Sequence, residues 1–264
     1  MSRSKIFEAV VMLAVLAVIL LFIPAGYGDE LATAGRQVAQ KWQNCIVSVQ
    51  LVAKTTYSYG SDSSSEEDKY EIVGCVIDPS GLIVTSLAST NLSELFGSFA
   101  DEDSEDFKMS SEVTSAKIIL PDGKELPAKI VLRDKDLDLA FIRPLQKPAA
   151  PLAAIDLSKG GKVELFDPVI GVYRQGIVGN RAVALSLGRI ASIIDKPRLY
   201  YVLDGGLDLG SAVFSLDGNM VGLVVAKSLP KGASPSNPWD NMIQVILTAK
   251  DIAEAAKQAP AEAK

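Results

Sequence analysis

A serine hydroxyl becomes a nucleophile only when a base takes its proton. The 264-residue chain contains no histidine, so Ser-His-Asp and Cys-His activation and histidine-ligated zinc are excluded by inventory. The remaining groups that could do chemistry are few. Ser211 lies in residues 204–226 (DGGLDLGSAVFSLDGNMVGLVVA), just behind a glycine-rich turn, and Ser89 lies in the segment TSLAS. Either would need a lysine as its base. Asp138 stands at the start of the apolar run LAFI, where a carboxylate can bind backbone N–H groups. Glu102, Asp103, Glu105 and Asp106 bunch together, but a cation loop places ligands at alternating positions around a sharp glycine turn, and this run does not. A solvated loop is expected there, with no metal and no cofactor.

Cys45 and Cys75 fall on two segments that read as the arms of one hairpin. They are either a single disulfide, if the register brings their Cα atoms to about 5.5 Å, or two small core residues. The spacing leaves both readings open.

These groups must be positioned by strands. Residues 46–52 (IVSVQLV) are β-branched and apolar, and 71–86 read as strand, Asp78-Pro79-Ser80-Gly81 turn, strand. Residues 117–144 repeat the pattern around Pro121-Asp122-Gly123, and 146–156 (QKPAAPLAAID) are a Pro/Ala-rich linker. Beyond it come strand patterns at 169–173, 183–194, 198–204 and 241–247, and an Asp217-Gly218 hairpin in the stretch already described. Residues 29–41 and 250–258 have helical character. The polar stretch 57–68 (YSYGSDSSSEED) and residues 91–115, which include the sequon Asn91-Leu92-Ser93, are expected to be irregular loops.

Arg3 and Lys5 precede an apolar run over residues 9–23, which reads as a signal peptide or a membrane anchor. Both place the rest of the chain outside the cytoplasm. A net charge of −6 without a Lys/Arg cluster argues against nucleic acid as a partner.

Residues 204–226, with a tight turn, strand, Asp-Gly hairpin and return strand, resemble the nucleophile region of HtrA-type trypsin-like serine proteases, GNSGGPL followed by DG and a strand such as VIGI. Residues 71–86 resemble that family's GSGFIIDPDGYILTNNHVV, and 122–143 its DGREFPAKVVGSDPRSDIALLKI. The resemblance spans residues 43–248 and implies an all-β chain. Its expected fold is the trypsin-like double antiparallel β-barrel of six strands each, with a short N-terminal and a C-terminal helix. The expected organisation is a leader or anchor over 1–28, the helix and first barrel over 29–150, and the second barrel and last helix over 151–264.

The same alignment puts Ala88 on the family's catalytic histidine, Asp138 on its aspartate and Leu209 on its serine. This implies a pseudoprotease that binds a polypeptide partner or acts as a scaffold. The alternative is an active Ser/Lys endopeptidase built on Ser211. Leu207 replaces the glycine that lets the turn aim its amides at one point, so those N–H groups are expected to diverge. Leu209 is expected to close the inter-barrel cleft against Ala88 and Leu87.

Overall fold

The computed structural model describes residues 27–91, 107–228 and 242–263. The leader or anchor up to residue 26, the acidic run and all of the sequon but Asn91 lie outside them, while Tyr27 and Gly28 begin a helix. The described chain folds into two closed antiparallel barrels, with strand orders β1-β2-β3-β6-β5-β4 and β10-β11-β12-β9-β8-β7. The first comprises β1 (Ile46–Tyr59), β2 (Asp62–Asp78), β3 (Leu82–Ser86), β4 (Phe107–Ile119), β5 (Glu125–Asp134) and β6 (Leu139–Pro144). The second comprises β7 (Pro168–Arg174), β8 (Val183–Ile194), β9 (Tyr200–Leu203), β10 (Ala212–Ser215), β11 (Met220–Ser228) and β12 (Met242–Thr248). Helix α1 (Tyr27–Trp42) precedes them and α2 (Ala249–Ala256) follows. The fold expected from the sequence is therefore the fold observed.

Two expectations about loops are corrected. Residues 57–68 are not a loose tip, because β1 and β2 stay paired out to Tyr59 and Asp62 around Gly60, which has φ 57°. Phe107–Ser115 is likewise strand, laid along the other side of β1 from Tyr59 to Val52. Hydropathy misjudged both. A β-arm needs little apolar content when each residue alternates Thr, Ser or Tyr and every central backbone group has partners on both sides.

Each barrel fills its own interior. Val47, Val49, Leu51, Ile118 and Ile142 form the first core, and Val169, Ile190, Val213, Val221 and Ile246 the second. A third apolar cluster joins the barrels and both helices, including Val38, Ile46, Phe141, Phe214, Leu223 and Ile252. Helix α1 is fixed to the second barrel at its last turn. There Trp42 stacks on Phe214 at 5.7 Å between ring centres, and its Nε1–H donates to the Gly218 carbonyl at 2.9 Å. The chain end is tied to the first barrel through Arg143, whose guanidinium donates to the Pro260 carbonyl (2.6 Å) and to Ser80 Oγ (2.8 Å).

The Asp217-Gly218 turn carries its own lock. The Asp217 carboxylate accepts from Ser215 Oγ, from the Asn219 amide side chain at 2.7 Å and from the Asn219 N–H. The Ser215 bond leads in holding its pKa below the ordinary carboxyl value of 3.8. A depressed folded-state pKa stabilises the fold above 3.8 and loses that contribution as pH falls through the lower folded value. Asp217→Asn is expected to lower stability at neutral pH by about 1 kcal/mol or less, since the turn is partly solvated. Denaturant melts should show that difference shrinking on acidification below about pH 4. A difference independent of pH would mean that the carboxylate's charge does nothing for the turn.

Candidate functional site

The site lies where β3 ends, β6 begins and the turn before β10 meets both. Ser86 is the last residue of β3, and Leu87 leads into a single 3-10 turn over Ala88–Thr90. Asp138 precedes β6 in a left-handed conformation, φ 54°, which aspartate tolerates better than most residues. This geometry directs its carboxylate back across the seam. Oδ1 accepts the Ala88 N–H at 2.7 Å, while Oδ2 accepts Ser86 Oγ–H at 2.5 Å and the Ala226 N–H of β11 at 2.7 Å. The Asp138 carbonyl also takes the Leu87 N–H at 2.9 Å. One side chain thus holds the 3-10 turn, the end of β3 and a strand of the second barrel together.

Gly210 shows why the turn before β10 sits so close. Its φ is 88°, and a Cβ there would lie 2.5 Å from the Val73 carbonyl and 2.6 Å from Thr85 Oγ1. Only glycine fits. The amides around it are engaged separately: Gly210 N–H with the Val224 carbonyl (2.8 Å), Ser211 N–H with Asp208 (3.0 Å), and Leu207 N–H with Gln244 Oε1 (3.3 Å). Leu207 does not enter the left-handed region; the positive φ angles of this turn belong to Gly205 and Gly210. These three amides each have a separate acceptor within the fold.

Leu207 and Leu209 both pack against the second barrel's core. The Leu207 side chain fills the space over Gly171 of β7, where a Cβ would come within 2.4 Å of its Cδ1. The expected closure of Leu209 on Leu87 and Ala88 is corrected accordingly: Leu87 belongs to the first core, and the cleft between the barrels stays open at about 470 Å³. Ser48, Val73 and Ser89 form one wall and Gln175, Leu209 and Gln244 the other. The turn could turn inward because an aliphatic side chain gains more by joining a core than by facing a wet cleft.

Among the described residues, no lysine is hydrogen-bonded to either serine. Ser211 is fully buried and its Oγ has no hydrogen-bond partner, whereas Ser89 Oγ donates to the Ser86 carbonyl (2.6 Å) and meets Thr85 Oγ1 at 3.3 Å. Cys45 and Cys75 are both buried free thiols, with Cys75 opposite Ile46 and its Sγ–H 3.6 Å from the Gly210 carbonyl. Burial pushes the Cys45 thiol up to about 11 and Cys75 further still, so neither is a thiolate nucleophile at neutral pH. Among the described residues no cluster of three His, Cys, Asp or Glu could hold a metal.

The sequence reading missed the partners rather than the positions. Ser86 and Gln244 had signals that went unused: a hydroxyl closing a buried strand, and one amide inside the apolar run MIQVILT. Arg174 had none. Its guanidinium crosses the seam to the carbonyls of Ile46 (2.8 Å) and Gln43 (2.7 Å), contacts that exist only once the barrels are side by side.

The family model described as trypsin-like peptidase domain matches residues 73–223, more than half of the chain. The chain belongs to the trypsin-like peptidase family. Among curated proteins it is similar to a "Probable periplasmic serine protease do/HhoA-like" of Haemophilus influenzae, 28% identical over 142 residues, which cover 48% of this chain and 30% of that protein. Among solved structures it is similar to an HtrA-type protease, AlgW, determined with a tripeptide, at TM-score 0.51 and 13% identity, covering 84% of this chain and 62% of that one. The chain therefore spans less than a third of the curated relative's length, and the solved relative bears on the fold alone.

Within this trypsin-like frame the Asp138 bonds give a stability expectation. Its three partners here are all donors, so Asp138→Asn keeps the shape and the tolerated φ but presents an NH₂ to an N–H or O–H. A loss of about 1–3 kcal/mol is expected by thermal or denaturant melts. A variant as stable as the parent would show that the carboxylate does not hold the seam.

Proposed function

We propose that the chain is a catalytically inactive trypsin-like homologue, tethered outside the cytoplasm by its N-terminal segment, whose inter-barrel cleft binds an extended polypeptide. The carrying observation is the occupation of Asp138. In active trypsin-like enzymes this carboxylate orients a histidine and stabilises its imidazolium form; here it binds Ser86, Ala88 and Ala226. Leu209 and Ala88 stand at the other two aligned positions, and the chain has no histidine to recruit from elsewhere. The Ser/Lys alternative finds no support in Ser211, whose buried hydroxyl has no base beside it.

Binding is supported by what remains. The cleft lining is partly apolar, with Ile72, Val73 and Leu209, and has Ser48, Ser89, Gln175 and Gln244 able to meet backbone amides. The solved relative was determined with a tripeptide, and the curated relative is named periplasmic. Residues 9–23 behind Arg3 and Lys5 supply the export signal or tether.

The protein is expected to give no labelling by a fluorophosphonate probe and no cleavage of casein. Cleavage that disappears in Ser211→Ala would establish the alternative. Restoring the side chains alone, Ala88→His with Leu209→Ser, is expected to leave ester turnover at least about 10²-fold below an active relative, because the turn's amides do not converge on an oxyanion. Turnover near that relative's rate would mean that two side chains are all that separate this chain from an enzyme.

A further inference from the structure

The large apolar side chains exposed on the described surface gather on one barrel. Apart from Tyr59 and Leu145, all of them lie between Leu165 and Ile243. Their densest group follows β8. Leu185 and Leu187 pair with Val172 and Ile170, so they share the outer face that α1 covers over β7 and β10. They remain 41% and 57% exposed, just past the helix's cover. Leu165 and Phe166 extend the group at one end of the β7–β8 pair, and Ile177 and Val178, the latter fully exposed, at the other. Seven residues of β7 separate the ends, which makes a strip of about 20 Å.

Helix α1 ties this strip to the N-terminal segment. Its last turn is fixed on β10 through Trp42 and Phe214, and it also touches β7 and β8, the next strands around the barrel. Followed back toward Tyr27, it therefore runs toward the exposed face of β8. Four residues lead from the end of the apolar run at Ile23 to Tyr27, a reach of at most about 14 Å. A segment held in hydrocarbon would bring the β8 side of the second barrel to the headgroups, and the first barrel would be the distal one. Charge favours the same orientation. Residues 157–248 carry nine Lys/Arg against seven Asp/Glu, while residues 45–144 carry nine against eighteen. Arg189, stacked 4.7 Å from the Phe166 ring centre, places a cation beside an aromatic, a pairing suited to a lipid interface.

We propose that the outer face of β8, flanked by Leu165-Phe166 and Ile177-Val178, lies on the surface of an anionic phospholipid bilayer and holds the cleft at a fixed orientation to it. The proposal rests on the reading that residues 9–23 tether the chain. The bilayer is favoured over a second copy because the tether delivers this face to lipid and Arg189 sets a cation within the strip, beside the acidic Glu164 and Asp167.

The full chain, reconstituted in phosphatidylglycerol/phosphatidylethanolamine vesicles with acyl chains brominated near the headgroup, tests it. Leu187→Trp and Val178→Trp each add a fluorophore to the strip, and Tyr59→Trp adds one to the first barrel. Over the parent's emission, the added signal of Leu187→Trp and Val178→Trp should fall at least about twofold further on bromination than that of Tyr59→Trp, as expected for side chains at the acyl boundary. Equal quenching at all three sites in a chain that floats with the vesicles would leave the tether standing and overturn the seat. If such a chain also self-associates and Leu187→Asp disperses it, the face is covered by a second copy. A chain that fails to float removes the tether, and the proposal with it.

Discussion

Three donors converge on the Asp138 carboxylate, and the rest of the site follows from that convergence. They come from the end of β3, from the 3-10 turn at Ala88 and from β11, so the group spans both barrels. Leaving such donors unpaired in a half-dry seam would cost on the order of 1–3 kcal/mol each. The carboxylate therefore has a structural task that does not depend on a histidine. Two further contacts support the seam beside the cleft. Arg181 and the buried Glu71 form a bidentate pair, at 2.6 and 2.9 Å, and Arg174 donates to carbonyls on both sides. Burial lowers the Arg174 pKa, yet three carbonyl acceptors compensate its charge.

Leu207, Leu209 and Ala88 are apolar where a nucleophile and its base would oppose packing. A nucleophile and its base must face a wet cleft in strained geometry, which stabilises nothing until substrate arrives. Leu209 and Leu207 reverse that tendency by joining the second core, and Ala88 asks for no partner beyond its N–H. Gly210 could not be replaced so easily, since Val73 and Thr85 leave no room for a Cβ there. The turn has glycine at 210, where packing demands it, and leucine at 207, where the side chain fills the space over Gly171.

This division also explains what could be read from the sequence. Turns with a fixed chemical signature, Asp78-Pro79-Ser80-Gly81 and Asp217-Gly218, together with the β-branched runs they separate, were enough to place both barrels, because turn and strand preferences are local. The alignment of Ala88, Asp138 and Leu209 rests on the same local turns, and of the three only Asp138 has a hydrogen-bonding side chain. Direction was not legible. Whether Leu209 points across the cleft or into its own barrel depends on the space over Gly171 and on Gln244, which are distant in the chain. The arm formed by β1, β2 and β4 was misread for a related reason: its order comes from pairing on both sides of β1, and hydropathy does not register backbone pairing.

A cleft between two packed barrels needs something to keep it open, and the seam supplies it. With Asp138, Arg174 and the Arg181–Glu71 pair bridging the barrels, the walls at Val73 and Leu209 cannot collapse together without breaking charged hydrogen bonds in partly buried surroundings. Apolar closure would gain only the area of a few side chains, about 25 cal/mol per Å². Leu207 and Leu209 already bury area against the second core, so closure offers them little more. The result is a preformed groove on a rigid frame, in which a ligand would meet little reorganisation cost. The groove persists because the polar bonds across the seam hold the two barrels apart at a fixed distance.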